Sequence, residues 1–245
     1  MASAELNGAG KLIAGGRPCL ISFSGIDGAG KTTQIDALIA WLNAAGLKVC
    51  LLRFWDDVAV AGSLREGMSH NVFKSEKGIG SPNKPVQRRD KNVRGWYMTL
   101  ARLYLYLLDA LRLTFVVATG FRKDADVLIF DRYIYDEFAN LDLSNPGVKA
   151  YVRLLLMLVP HPEVGFLLDA DPAQARARKP EYPLEFLQRS RASYLSLSKS
   201  AHMTVIEPLA AEEVTRLVLK AVAKAFAVNQ AETNNLSPSA DLTSK

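Results

Sequence analysis

Cys19-Leu-Ile-Ser-Phe-Ser-Gly-Ile-Asp-Gly-Ala-Gly-Lys-Thr-Thr33 decides the fold. Its first six residues are a short apolar run between Pro18 and Gly25, which predicts a buried strand. From Thr32 onward Ile35, Leu38, Ile39 and Leu42 recur at helical spacing, and Gly46 stops the helix. Between the two, Gly25 to Thr32 matches G-x-x-x-x-G-K-[ST] at every fixed position, in the strand-to-helix context the motif needs. Glycines let backbone N–H groups turn inward around phosphate oxygens, and the helix N-terminus adds unpaired donors and partial positive charge. Gly25, Asp27, Gly28, Ala29, Gly30, Lys31, Thr32 and Thr33 are therefore the expected nucleotide-binding residues. Lys31 is expected on the β- and γ-phosphates and the Thr32 hydroxyl on Mg²⁺. The motif implies phosphate binding and leaves the reaction open.

Outward from this loop, four more apolar runs read as buried strands: Val49–Phe54, Val127–Phe130, Val164–Leu168 and Met203–Ile206. Helical periods separate them, over Trp96 to about Thr119, Lys149–Leu158, Leu184–Ser198 and Val214–Phe226. Continuous Val/Ile/Leu strands alternating with helices predict an α/β fold with a parallel sheet covered on both faces. Gly/Ala-rich residues 1–16 read as a flexible arm, 17–228 as the folded domain, and Asn/Ser-rich 229–245 as a disordered tail. Residues 63–94 form a polar, Gly/Pro-punctuated stretch that is long for a loop.

The third strand ends in Asp131-Arg132-Tyr133. In a doubly wound sheet the carboxyl ends of the strands face the ligand. Asp131 is placed to hold Mg²⁺ or its water, and Arg132 to make a bidentate phosphate contact.

Composition narrows the alternatives. Lys plus Arg is 30 against 25 Asp plus Glu, with 49% hydrophobic and 22% charged residues, which is ordinary for a globular domain with a sizeable core. The positive balance concentrates between Lys84 and Arg94, where Lys84, Arg88, Arg89, Lys91 and Arg94 face only Asp90. A general nucleic-acid or membrane-binding field is not implied. Cys19 and Cys50 fall in apolar runs and read as free thiols rather than a disulfide framework or a metal site. The longest apolar region, 96–121, carries Arg102, Asp109 and Arg112 and does not read as a membrane span. No hydrophobic stretch behind basic residues marks residues 1–17 as a secretory signal, so the expected location is cytoplasmic.

Residues 27–33, Asp-Gly-Ala-Gly-Lys-Thr-Thr, together with Asp131-Arg132-Tyr133, resemble the thymidylate kinase family. Leu158-Val-Pro-His-Pro-Glu-Val-Gly-Phe-Leu-Leu-Asp-Ala-Asp-Pro172 is similar to the family's approach to its fourth strand. Arg176-Ala-Arg-Lys179 and Phe186–Tyr194 resemble the bacterial lid, near 173–190, and the helix after it. The resemblance implies a P-loop nucleoside monophosphate kinase fold with a five-stranded parallel sheet, transfer of the ATP γ-phosphoryl to dTMP with Mg²⁺, small nucleotide substrates, and a homodimer. It implies Asp27, Arg53, Arg112, Arg132 and Tyr133 at the acceptor. Lys31, Asp131, Arg132, Arg176 and Arg178 are implied as catalytic, with Lys179 a further lid cation.

The sequence also departs from the family. Gly28 stands where one branch carries a catalytic arginine, which throws the burden onto the lid cations. Phe54-Trp55-Asp56-Asp57 replaces the usual Glu-Pro-Gly-Gly. Four residues before Arg112 stands Leu108 rather than an aromatic; either Tyr104, Tyr106 or Phe54 stacks on the base instead, or the base is recognised loosely. Two alternatives stay open on the residues: the same fold acting on another phosphorylated acceptor, and a nucleotide-binding regulatory module without turnover.

Overall fold

The computed structural model describes residues 18–60, 96–122 and 125–236. Five parallel strands, β1 (Cys19–Ser24), β2 (Val49–Arg53), β3 (Val127–Asp131), β4 (Val164–Leu168) and β5 (Thr204–Ile206), form one sheet in the order β2-β3-β1-β4-β5. All six β1 residues are buried, as its unbroken apolar run requires of a central strand. The register places Phe23 opposite Asp131 on one side and Phe166 on the other, so β1, β3 and β4 end at one edge. Strand order reverses around β1, and ligands bind at such a switch point.

Helices cover both faces. On one lie α1 (Lys31–Ala44) and α7 (Ala211–Leu236), packing Ile35, Leu38, Leu42, Val218 and Val222 against Ile21, Phe23, Val127 and Phe166. On the other lie α2 (Trp96–Arg122), α3 (Ile134–Phe138), α4 (Pro146–Leu158) and α6 (Leu184–Ser200), around Phe130, Tyr133, Tyr135 and Phe138. The short α5 (Pro172–Arg178) starts on an Asp171 cap, whose Oδ1 accepts from the Gln174 N–H at 2.9 Å, with Pro172 at the first helical position.

The strand expectations hold to within a residue, except that Arg53 ends β2 and Phe54 opens a π-helical turn (Phe54–Val58). The turn was not expected, nor were α3 and α5, which are too short to show a period. Helix α7 runs to Leu236, beyond the expected domain end at 228, so the expected tail is helical over its first eight residues, 229–236. The arm 1–16, the stretch 63–94 and residues 237–245 lie outside the described residues. Against expectation, Leu103–Arg122 is long and apolar enough to cross a membrane by length and mean hydropathy, 1.4. Its Ala110, Leu113 and Val117 pack in one core with Leu128 and Phe130.

Candidate active site

The phosphate loop is shaped by three left-handed glycines: Gly25 at φ 143°, Gly28 at 85° and Gly30 at 88°. At Gly28 a Cβ would stand 2.3 Å from the carbonyl oxygen of Ala175. Any side chain there collides with α5, so the arginine that one family branch carries is sterically excluded, and the loop instead lies directly under the helix bearing Arg176 and Arg178. Lys31 is buried, and its ammonium donates to the carbonyls of Gly25 at 2.8 Å and Ile26 at 3.1 Å. Burial, then the nearby Arg132 guanidinium, lowers its pKa to about 8.

A cleft of about 750 Å³ runs over this loop, lined by Asp27 to Gln34, Asp131, Arg132, Arg178, Lys179, Leu209, Ala211 and Val214. It therefore gathers Asp27, Gly28, Ala29, Gly30, Lys31, Thr32, Thr33, Asp131 and Arg132, as the sequence predicts. Of the lid cations, Arg178 and Lys179 line it and Arg176, half-buried, does not. The Lys179 ammonium lies 3.9 Å from Asp27 Oδ1 and 3.3 Å from Glu181 Oε1, so the end of α5 reaches across to the loop.

Beside it, on the other side of Asp27, is a second recess lined by Gly25, Ile26, Trp55, Arg132, Asp136, Glu137, Asn140, Phe186 and Tyr194, among others. Arg132 stands between the two clefts. Its backbone is left-handed, φ 67°, an uncommon conformation for a residue with a side chain, and its N–H donates to the Phe23 carbonyl at 3.0 Å. One arm of its guanidinium donates to Asp27 and the other lies 3.6 Å from Asp136. Burial opposes the charge, but Asp136 and Asp27 outweigh it and raise the pKa above the usual arginine value.

Asp136 is the residue sequence reading missed. It is 4% exposed and accepts from the Ser24 hydroxyl at 2.7 Å, the Tyr133 N–H at 3.0 Å and the Tyr194 hydroxyl at 2.7 Å. An acid one helical turn past Arg132 was the available signal. Also missed was the two-pronged pair of Arg191 with Asp169, 2.7 Å at each oxygen, which ties α6 to the end of β4.

Three expected acceptor residues stand elsewhere. Tyr133 is fully buried, and its hydroxyl donates to the Pro160 carbonyl at 2.6 Å, packed edge-on against Phe130 and Tyr135. It is a core residue because the left-handed turn at Arg132 sends the next side chain inward. Arg53 is exposed, 4.0 Å from Asp56, and lines neither cleft; Arg112 is exposed on α2 and also lines neither. The expected stacking aromatics are displaced too. Phe54 and Tyr106 are core residues, and exposed Tyr104 lies outside the recess, whose aromatics are Trp55, Phe186 and Tyr194.

Among the described residues no cluster of three His, Cys, Asp or Glu side chains forms a ready-made metal cage. Mg²⁺ does not need one. It takes one or two protein oxygens and completes its shell with phosphates and water. The Thr32 hydroxyl and the Asp131 carboxylate, both on the large cleft, are hard oxygen donors that fit it.

Comparison with known proteins finds likeness to thymidylate kinases. A family model described as Thymidylate kinase matches residues 23–77. A thymidylate kinase of Solidesulfovibrio magneticus is 28% identical over 214 residues, covering 76% of this chain and 90% of its own length. One of Bifidobacterium longum is 26% identical over 188 residues, covering 73% and 82%. The crystal structure of thymidylate kinase from Ehrlichia chaffeensis superposes with a TM-score of 0.51 at 19% identity, covering 84% of this chain and 98% of that one. The fold is that of the P-loop nucleoside monophosphate kinases, and the resemblance read from the sequence is borne out.

Proposed function

We propose that this chain is an ATP-dependent nucleoside monophosphate kinase that converts dTMP to dTDP. The observation that carries the reading is the position of Arg132 between two adjacent clefts, one roofing the phosphate loop and one lined by Trp55, Phe186 and Tyr194. A donor triphosphate over Lys31 and an acceptor phosphate at the mouth of the recess, whose own free volume is only about 30 Å³, meet at that guanidinium. A cation shared between donor and acceptor phosphates suits phosphoryl transfer, where charge spreads over the transferring oxygens. A guanidinium whose two arms already face Asp27 and Asp136 still suits the several charged oxygens of a monophosphate better than the single neutral hydroxyl of a free nucleoside.

The residues take the following roles. Backbone N–H groups from Gly28 to Thr33 cradle the donor phosphates, and Lys31 neutralises the β- and γ-oxygens. Thr32 and Asp131 hold Mg²⁺, which supplies Lewis-acid charge neutralisation to the phosphates when bound. Arg178 and Lys179 are the lid cations that reach the transferring group. Asp27 orients Arg132. The location is cytoplasmic, in keeping with the free thiols of Cys19 and Cys50. A homodimer would use the exposed Leu100, Tyr104, Leu111 and Phe115 of α2, and sedimentation tests it.

The recess favours one second reading, a different phosphorylated acceptor on the same fold, because Arg112, Phe54 and Tyr106 do not line it. A panel of nucleoside monophosphates with ATP and Mg²⁺, read by coupled ADP release, separates the two. The expected result is stimulation by dTMP, with measurable use of dUMP because no residue expected from the family reads the base. Stimulation by a sugar phosphate and by no nucleotide would move the assignment to the second reading.

A further inference from the structure

We infer that Asp136 is a positioning residue, which fixes the Arg132 guanidinium between the two clefts and ties it to α6 through Tyr194. The inference rests on the kinase reading for its kinetic consequence, but its geometry stands apart from it. A carboxylate that is 4% exposed has lost its water and must be satisfied by protein donors. Asp136 is satisfied on both oxygens. Its Oδ2 accepts from the Ser24 hydroxyl at 2.7 Å and the Tyr133 N–H at 3.0 Å, which pins the carboxylate to the end of β1 and to the start of its own helix. Its Oδ1 accepts from the Tyr194 hydroxyl at 2.7 Å and lies 3.6 Å from one arm of the Arg132 guanidinium.

Arg132 needs such a hold. Its backbone sits in the left-handed region, and its other arm bonds Asp27, a residue of the phosphate loop. The guanidinium is thus held at both ends, by a loop carboxylate toward the donor and by a buried carboxylate behind it. The Asp136 end is shared with α6, the helix that carries Phe186, Leu187 and Ser190 of the acceptor recess. A shift of α6 therefore reaches Arg132 through a single carboxylate, with Tyr194 as the link. Among the described residues the Tyr194 hydroxyl makes this one side-chain hydrogen bond, and its phenol is held protonated by burial and by the adjacent Asp136.

The test uses Asp136→Asn and Tyr194→Phe in the full chain. Kinetics with ATP and dTMP should show acceptor kcat/KM falling roughly 10- to 100-fold in Asp136→Asn, the range for losing a hydrogen bond to a charged group, with the KM for ATP within twofold. Tyr194→Phe, which keeps the carboxylate, should show a smaller loss in the same parameter. The acceptor-independent readout is ¹⁵N–¹H NMR of the arginine side chains, with the Arg132 signals assigned by Arg132→Lys. The wild-type guanidinium should give separate, slowly rotating Nη–H signals that merge in Asp136→Asn. Should Asp136→Asn fail to fold, Tyr194→Phe and Ser24→Ala carry both readouts. Unchanged acceptor kinetics with separate Arg132 signals in every folded variant would overturn the inference. If wild-type protein shows no nucleotide-dependent turnover, the kinase reading falls, and the Arg132 signals still decide the role of Asp136.

Discussion

The donor cleft and the acceptor recess share Asp27 and Arg132 but are built by different means. The donor side is mostly backbone: Gly25 to Gly30 is one contiguous loop with three left-handed glycines, it runs straight into the start of α1, and Lys31 is its main side chain. The acceptor side is mostly side chains drawn from separate elements, Trp55 after β2, Asp136 and Glu137 on α3, and Phe186 and Tyr194 on α6. A backbone cradle binds any nucleoside triphosphate, because every one presents the same phosphates. On the proposed reading a side-chain recess decides the identity of the acceptor, and Trp55, which lines it, belongs to the Phe54-Trp55-Asp56-Asp57 stretch that departs from the family pattern.

The largest break in this comparison is expected on the donor side. Lys31→Ala should lower turnover at least 10²- to 10³-fold, the usual cost of removing a charge-stabilising contact. The thermal melting point should change little, because among the described residues the Lys31 ammonium donates to two loop carbonyls and to no core side chain. A variant keeping a tenth of wild-type turnover contradicts the role. Next come the lid cations. Arg178→Ala should lower kcat by about 10- to 100-fold, more than it raises the KM for ATP, the mark of a contact made in the transition state. Arg176→Ala, outside the cleft, should stay within about twofold. Equal losses for the two arginines in steady-state kinetics would erase the distinction the structure draws between them.

The pH dependence is smaller and has a definite sign. The Lys31 pKa is lowered to about 8, so below pH 8 the free protein already carries the ammonium that phosphates need. Above it, binding must take up a proton, and ATP affinity should fall by about tenfold per pH unit as pH rises. Calorimetric titration from pH 7 to 9 checks this, and Lys31→Met should abolish the inflection. The smallest effects are expected at Arg53 and Arg112. Both are exposed and away from the recess, so each alanine variant should leave the acceptor KM within about twofold, whereas Arg132→Ala should not. A large Arg53 effect would mean that the acceptor phosphate sits at the end of β2 rather than at Arg132.

What could be read from the sequence divides along the same line. The phosphate loop was legible because its chemistry is local: one unbroken run, Ser24 to Thr33, supplies strand end, turn and helix start. The sheet was legible because β1 and β3 are continuous apolar runs that only a two-sided parallel sheet can bury. Arg132 was legible as an exception at the end of such a run. Asp136 was not, because a lone acid on a five-residue helix carries no period, and its partners Ser24 and Tyr194 lie 112 and 58 residues away in sequence. Tyr133 misled for a related reason. Standing beside Arg132 it reads as a site residue, but the φ of 67° at Arg132 turns it into the core. The clash of a Gly28 side chain with Ala175 was likewise hidden, since it joins residues in contact only through the fold.

The central claim is that Arg132 serves two phosphates at once, a donor's and an acceptor's. The most direct measurement is product analysis by anion-exchange chromatography of wild-type protein with ATP, Mg²⁺ and dTMP, alongside Arg132→Ala. The account predicts dTDP and ADP in equal amounts from the wild type, little of either without dTMP, and loss of both in the variant. ADP formed at the same rate without dTMP, or dTDP formed undiminished by Arg132→Ala, would contradict it.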